Sequence, residues 1–89
     1  MFDFYADWCP PCKKLEPILE KIAKEKSEMV MVYKIDIDRN RALANSFHVG
    51  GIPHVVLFKN KKTVFTLSGL YPKTMYIKLV EQFSSAVEP

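Results

Sequence analysis

The chain has 89 residues, of which 48% are hydrophobic and 12% aromatic, and its formal net charge is +3. This size and composition fit one small globular fold with one core, and we expect residues 1–89 to form a single domain. The weak and scattered positive charge argues against nucleic acid as a partner, because nucleic-acid binders concentrate basic residues on one face. The longest uncharged stretch contains glycine, proline and histidine, so no membrane span is expected.

Predicted strands and helices alternate along the first half of the chain. Residues 2–6 form a short aromatic run that is typical of a buried strand. From Pro10 to about Lys26 the apolar residues recur at the spacing of one helix face, and Pro17 is expected to bend this helix without ending it. Residues 29–37 are β-branched and apolar, which predicts a second strand.

The second half predicts a hairpin between two helices. The elements are a short helix ending near Phe47, strands over residues 54–59 and 63–68, and a last helix over residues 72–85. The resulting order, β-α-β-α-β-β-α, is that of an α/β domain. Two parallel strands joined by a helical crossover, followed by a hairpin, predict a four-stranded mixed sheet flanked by helices.

The only two cysteines, Cys9 and Cys12, lie between the first predicted strand and the first helix. A disulfide between them would close a very short loop, which stabilises a fold much less than a long loop does. Active sites in open α/β sheets gather at the carboxyl ends of the strands. The pair is therefore interpreted as a reactive site and not as a structural crosslink.

The position of each cysteine on the helix predicts its chemistry. Unpaired backbone N–H groups and the helix dipole stabilise an anion at the helix N-terminus, which lowers the pKa of a thiol at Cys9. Cys12 returns to the same side of the helix, so its sulfur can attack a mixed disulfide formed at Cys9. The spacing predicts an exposed attacking sulfur at Cys9 and a shielded resolving sulfur at Cys12.

Other cysteine chemistries fit the sequence less well. A zinc site would need two more ligands, and His48 and His54 lie at spacings that match neither a zinc ribbon nor a zinc finger. A haem attachment site would need histidine after Cys12, where Lys13 stands. A Cys–His protease would leave the second cysteine unexplained. We therefore expect no metal and no cofactor.

The active-site segment FDFYADWCPPCK, residues 2–13, resembles that of the thioredoxin family. Further matches follow in the family's order: Pro17, KIDID at 34–38, GIP at 51–53, FKN at 58–60 and Gly69. The resemblance implies a thioredoxin fold and a thiol–disulfide oxidoreductase that reduces protein disulfides. It further implies that a thioredoxin reductase or a related electron donor recharges the protein.

The resemblance also implies the roles of the central residues. Cys9 would be the nucleophile and Cys12 the resolving thiol. Asp3 matches a buried carboxylate that assists proton transfer at the resolving cysteine, with Lys34 as its partner. An acidic residue within an aromatic strand is costly to bury unless it is used or paired, although Asp3 could instead lie on a frayed, solvated chain end.

A substrate-binding surface is implied as well. Pro53 is expected to follow a cis peptide bond and to face the cysteines, while a trans turn proline is the alternative. Backbone groups of Ile52 would bind an extended substrate chain, and Trp8 would shield the site unless it is simply packed in the core. The expected substrate-contacting residues are Trp8, Pro10, Pro11, Ile52, Pro53 and Gly69.

Two substitutions depart from the usual pattern of the family. Pro10-Pro11 replaces Gly-Pro, which removes one backbone donor near the Cys9 sulfur. We expect the stiffer loop and the lost donor to make the pair a stronger reductant. His54 stands where thioredoxins more often have threonine, and its imidazole either stabilises the Cys9 thiolate when protonated or faces solvent.

The sequence leaves some alternatives open. Thioredoxins usually begin with another strand and helix, so the chain is expected to be either a minimal form or one whose front was removed. The WCPPC motif also occurs in periplasmic thioredoxin-like reductases, tryparedoxin and nucleoredoxin, and a non-catalytic thioredoxin-fold binding module is a further possibility. Without a signal-peptide pattern, we expect a cytoplasmic monomer, or a periplasmic one if a signal or anchor was removed.

Overall fold

The computed structural model describes residues 1–84. Its elements are β1 (Phe2–Tyr5), α1 (Pro10–Glu25), β2 (Tyr33–Asp36), α2 (Arg41–Ser46), β3 (His54–Lys59), β4 (Lys62–Ser68) and α3 (Lys73–Ser84). The predicted order is confirmed, and the predicted helix end at Ser85 lies outside the described residues. Across residues 1–84, none of the helices combines the length and apolar character needed to cross a membrane.

The four strands form one mixed sheet in the order β2-β1-β3-β4. β1 and β2 are parallel and are connected by α1, whereas β3 is antiparallel to both β1 and β4. Pro17 lies inside α1, which continues beyond it to Glu25. The predicted four-stranded mixed sheet is confirmed, and β1 occupies a central position in it.

Successive residues of a strand point to opposite faces of the sheet, so β1 contributes to two different environments. On the first face, α1 and α3 pack against β3. The buried residues there include Leu15, Leu19 and Ile22 of α1, Tyr76 and Val80 of α3, and Val55 and Leu57 of β3. We call this the α1/α3 face.

The opposite face, which we call the α2 face, is covered by the short helix α2. Phe4 and Val56 are fully buried there beside Ile35 and Ala44. The aromatic side chains around them make edge-to-face and tilted contacts, with ring centroids 5.6 Å apart for Phe4 and Phe47. This face is apolar and aromatic where β1 crosses it.

The predicted second strand over residues 29–37 is too long. β2 spans only Tyr33–Asp36, which lie opposite the four residues Phe2–Tyr5 of β1. Residues 26–29 instead form a turn, and the N–H groups of Met29 and Val30 donate to the carbonyl of Lys26. β2 is consequently a short strand at the edge of the sheet.

Candidate active site

The cysteine pair lies where β1 leads into α1. Cys9 is the N-cap of α1, with extended backbone angles of φ −105° and ψ 103°. Pro10 and Pro11 are exposed and occupy the first two helical positions, where backbone N–H groups lack helical partners and proline costs little. Cys9 and Cys12 are joined by a disulfide, with their Cα atoms 5.3 Å apart.

One backbone donor remains beside the Cys9 sulfur. The N–H of Cys12 donates to Cys9 Sγ at 3.3 Å, which is a usual contact between a third helical residue and an N-cap side chain. A hydrogen bond of this kind favours the charged form of its acceptor. In the reduced protein it would therefore stabilise a Cys9 thiolate, despite the prolines between the two cysteines.

Burial of the two cysteines is not as predicted. Each residue is only 4% exposed, so the expected contrast between an exposed Cys9 and a shielded Cys12 is wrong for the disulfide state. The bond holds both sulfurs in one cluster with Ala6, against the partly buried Ile52. The two differ instead in what lies beside them, because Cys12 lines a cleft that contains a buried carboxyl group.

This cleft, the Asp3 cleft, has a volume of about 270 Å³. Asp3 is 2% exposed, which shows that the alternative of a frayed, solvated chain end is wrong. Burial raises the pKa of Asp3 to about 6, the positive charge of Lys34 opposes this shift, and the negative charge of Glu16 adds to it. Residues lining the cleft are Asp3, Tyr5, Ala6, Asp7, Cys12, Lys13, Glu16 and Lys34.

The Asp3 carboxyl is therefore able to exchange a proton near neutral pH. Its Oδ1 atom is buried and has no hydrogen-bond partner within residues 1–84. A carboxyl group with a pKa close to the working pH is suited to general acid–base catalysis. Asp3 and Cys12 line the same cleft.

Lys34 interacts with Asp3 through its charge, as its expected role as partner requires, but within the described residues it does not form an ion pair with Asp3. Lys34 Nζ donates to the carboxylate of Glu16, and it lies 4.6 Å from the centre of the Tyr5 ring. Among the described residues, no ion pair joins Lys34 to Asp3. Asp3 has a short, buried side chain, whereas the long side chain of Lys34 is partly exposed and extends to Glu16 on α1.

Glu16 was not among the sequence candidates. It lies four residues after Cys12, which places both side chains on one side of α1. An acidic residue at that spacing from the second cysteine is the signal that could have identified it. The hydrogen bond from Lys34 to Glu16 also raises the pKa of Lys34.

Three of the predicted substrate-contacting residues, Ile52, Pro53 and Gly69, are linked through the backbone at the adjoining ends of β3 and β4. The Ile52–Pro53 peptide bond is cis, as the resemblance implied, and Ile52 packs against the cysteine cluster. The N–H of Gly69 donates to the carbonyl of Pro53 at 2.8 Å. Gly69 has φ +104°, a backbone conformation that glycine adopts more readily than other residues.

Trp8 is 66% exposed, so the alternative of a core-packed Trp8 is wrong. Its indole Nε1 donates to Asp38 Oδ2 at 2.9 Å. Asp38 was not predicted as a site residue, although it follows β2 and so lies at the same edge of the sheet as the loop after β1. That shared edge is the sequence signal by which it could have been found.

The alternative in which His54 faces solvent is wrong. His54 is 8% exposed and so does not face solvent. Its Nδ1 atom lies 2.7 Å from Ser68 Oγ, its ring is 6.2 Å from that of Phe4 on the α2 face, and its Nε2 atom has no partner among residues 1–84. Burial lowers the pKa of His54, which disfavours the protonated imidazole that would stabilise a thiolate.

Comparisons with known proteins agree with this geometry. A sequence profile of the thioredoxin family matches residues 1–82. A thioredoxin of Buchnera aphidicola is 48% identical over 73 residues, which cover 82% of this chain and 67% of the relative. A thioredoxin of Chlamydia caviae is 42% identical over 84 residues, which cover 94% of this chain and 81% of the relative.

A comparison with solved structures also finds thioredoxins. The structure of a thioredoxin variant from Halobacterium salinarum superimposes with a TM-score of 0.84 at 41% identity, over 93% of this chain and 72% of that one. Family membership implies, in general terms, disulfide-containing protein substrates and a reductase as electron donor. The chain belongs to the thioredoxin family, and with its closely spaced cysteine pair it is a thiol–disulfide oxidoreductase.

Proposed function

We propose that this oxidoreductase works as a reductant of protein disulfides, with Cys9 as nucleophile and Cys12 as resolving thiol. The observation that carries the proposal is the different surroundings of the two sulfurs. Cys9 is the N-cap of α1 and accepts the Cys12 N–H, which favours a thiolate there. Cys12 borders the cleft of Asp3, a carboxyl group that can remove its proton.

The proposed reaction has two exchange steps. The Cys9 thiolate attacks one sulfur of a substrate disulfide, forms a mixed disulfide and releases the other substrate sulfur as a thiolate. Asp3 then accepts the Cys12 proton, and the Cys12 thiolate attacks Cys9 Sγ, which releases the second substrate thiolate. Two electrons pass to the substrate, the Cys9–Cys12 disulfide forms, and the released thiolates take up protons from Asp3 and solvent.

Substrate would bind beside the disulfide, in an extended conformation. The resemblance assigns this contact to Trp8, Pro10, Pro11, Ile52, Pro53 and Gly69. Support comes from the exposure of Trp8, Pro10 and Pro11, from the packing of Ile52 on the cysteine cluster, and from the Gly69–Pro53 hydrogen bond. Lys34 would act on Asp3 through space by opposing the rise in its pKa.

We further propose that residues 1–89 form one domain that acts as a cytoplasmic monomer. A thioredoxin reductase or a related dithiol donor would return the oxidised pair to the dithiol state. The periplasmic and tryparedoxin-type alternatives differ in compartment and donor, so reduction by a purified thioredoxin reductase with NADPH would support the cytoplasmic assignment. Failure with that donor, together with activity when dithiothreitol replaces it, would favour another pathway.

Trapping the mixed disulfide tests the roles of the cysteines. Cys12→Ser should accumulate a covalent adduct with a peptide disulfide, because the resolving step is lost, while Cys9→Ser should form none. Intact mass spectrometry measures both. Adduct formation by Cys9→Ser alone would reverse the assignment, and inertness of the parent dithiol towards the same peptide would favour a non-catalytic binding module.

The reduction potential of the pair tests the direction of electron flow. Equilibration in defined thiol–disulfide buffers should give a reduction potential of about −270 mV, which is typical of reducing members of this fold. Strong oxidants of the fold have a potential of about −120 mV. A value near the second figure would contradict the proposed reductive function and place the protein among oxidants.

A further inference from the structure

Glu16 and Lys34 form an ion pair that connects α1 to β2 beside the buried Asp3. Lys34 Nζ donates to the Glu16 carboxylate, and these two side chains, together with Asp3, line two separate clefts. The first is the Asp3 cleft, which also reaches Cys12. The second, of about 130 Å³, extends along α1 towards Leu19 and Ala23. The ion pair thus lines both of these clefts together with Asp3.

The two members of this pair act on Asp3 in opposite directions. The negative charge of Glu16 opposes ionisation of Asp3, whereas the positive charge of Lys34 favours it. Lys34 is bound to Glu16, and no ion pair between Lys34 and Asp3 is found among the described residues. Glu16 therefore disfavours a negative charge on Asp3 in two ways, through its own charge and by binding the cation that favours ionisation of Asp3.

We propose that Glu16 is a positioning residue for the resolving step: it holds the Lys34 ammonium and sets the pH range over which Asp3 removes a proton from Cys12. This role rests on the proposed function of Asp3 and Cys12. Glu16 need not touch the substrate or the sulfurs, since it acts through the charge state of Asp3.

The titratable groups around Asp3 include Glu16, Lys34 and several others. They come from the strand and loop before α1, from α1 itself, from β2 and from α3. These groups are Tyr5, Asp7, Cys12, Lys13, Glu16, Glu20, Lys34 and Tyr76. Besides burial, the charges of Lys34 and Glu16 are the ones that shift the pKa of Asp3.

The test is an NMR titration of the Asp3 carboxyl carbon in the oxidised protein, where the disulfide-bonded cysteines do not titrate. Glu16→Gln keeps the shape of the side chain but removes its charge, which weakens its bond to Lys34. We expect the Asp3 midpoint to fall by about one pH unit, as for a charge change a few ångströms away. Lys34→Met should shift the midpoint upward, in the opposite direction.

The opposite signs separate an electrostatic role from a structural one. If the ion pair only held α1 against β2, removing either partner would perturb Asp3 in the same direction. Glu20→Gln is the matched control, since it makes the same charge change one turn further along α1. A Glu16→Gln shift no larger than that of Glu20→Gln, or shifts of equal sign for Glu16→Gln and Lys34→Met, would overturn the proposal.

A kinetic measurement connects the charge state of Asp3 to the reaction. In Glu16→Gln the acid limb of the pH–rate profile for disulfide reduction should move to lower pH by the same amount as the NMR midpoint. In the Asp3→Asn background, Glu16→Gln should leave the profile unchanged, and a persistent shift would contradict action through Asp3. If the parent reduces no disulfide, the proposed function fails, while the NMR titration still decides the effect of Glu16 on Asp3.

Discussion

The strand β1 contributes side chains to both faces of the sheet, and the two faces have different functions. Along β1, Phe2 and Phe4 contribute to the α2 face, where aromatic rings pack together. Asp3 alternates with them and is buried on the α1/α3 face, beside the cleft that leads to Cys12. A shift of one residue along the strand thus changes the environment from apolar packing to an ionisable site.

This contrast shows how a small fold supports a buried charge. The α2 face buries its strand residues without ionisable groups other than His54, which a hydrogen bond to Ser68 ties in place. The α1/α3 face retains a carboxyl group at a cost in stability, because burial disfavours its ionised form. The apolar packing of the α2 face therefore contributes stability that offsets the cost of burying Asp3 on the α1/α3 face.

The largest expected effect comes from breaking the α2 face at Phe4. Phe4 is fully buried, and Phe4→Ala should lower the free energy of unfolding by about 3–5 kcal/mol through lost burial and a cavity. Urea unfolding followed by circular dichroism measures it. Phe4→Leu, which fills more of the space, should lose far less, and an equal loss in both variants would contradict the packing explanation.

Asp3→Asn should have the next largest effect on the free energy of unfolding. At neutral pH this substitution should stabilise the protein, whereas Phe4→Ala destabilises it. The folded-state pKa of Asp3 is raised from 3.8 to about 6, so the parent loses stability as pH rises through this range while the variant does not. At pH 8 the variant should be more stable by about 2–3 kcal/mol. The difference should vanish near pH 4, and a gain that persists there would have another cause.

The same variant should be a poorer catalyst. Without the carboxylate, the resolving step should slow by roughly a hundredfold, the usual contribution of a positioned general base. Release of the second substrate thiol from a preformed mixed disulfide at Cys9 measures this step. Unchanged release in Asp3→Asn would show that Cys12 gives up its proton by another route.

His54 should have a smaller effect on stability. Its burial should make the protein less stable as pH falls, whereas burial of Asp3 makes it less stable as pH rises. Burial lowers the pKa of His54 below the usual 6.5, so the folded state disfavours the proton that the unfolded state accepts. Stability should decline as pH falls through about 6.5 towards the folded-state pKa, and His54→Asn should remove this decline. Urea unfolding of both proteins at several pH values tests it, and identical slopes would contradict the burial argument.

The smallest expected effect concerns the prolines after Cys9. Pro10→Gly restores a backbone donor near the sulfur and loosens the loop, so the reduction potential should become less negative than that of the parent. Equilibration in thiol–disulfide buffers measures it. A more negative potential in the variant would contradict the expectation that Pro10 makes the pair a stronger reductant.

Local patterns predicted the elements well, and the long-range polar contacts poorly. The element order and the position of the cysteines follow from apolar periodicity and the strand–helix boundary at Cys9. The partner of Lys34 could not be read in this way, because its choice of Glu16 over Asp3 depends on how far each side chain extends from α1, β1 and β2. The burial of His54 depends on its register opposite Phe4, which the sequence does not specify.

The hydrogen bond between Trp8 and Asp38 has a practical consequence. Trp8 is the only tryptophan of the chain, precedes Cys9, and lies at the surface with its indole N–H bound to Asp38. The emission of this one indole therefore reports on the disulfide and its immediate surroundings, without contribution from tryptophan elsewhere. The protein carries an intrinsic optical probe with which opening of its disulfide can be followed without a label.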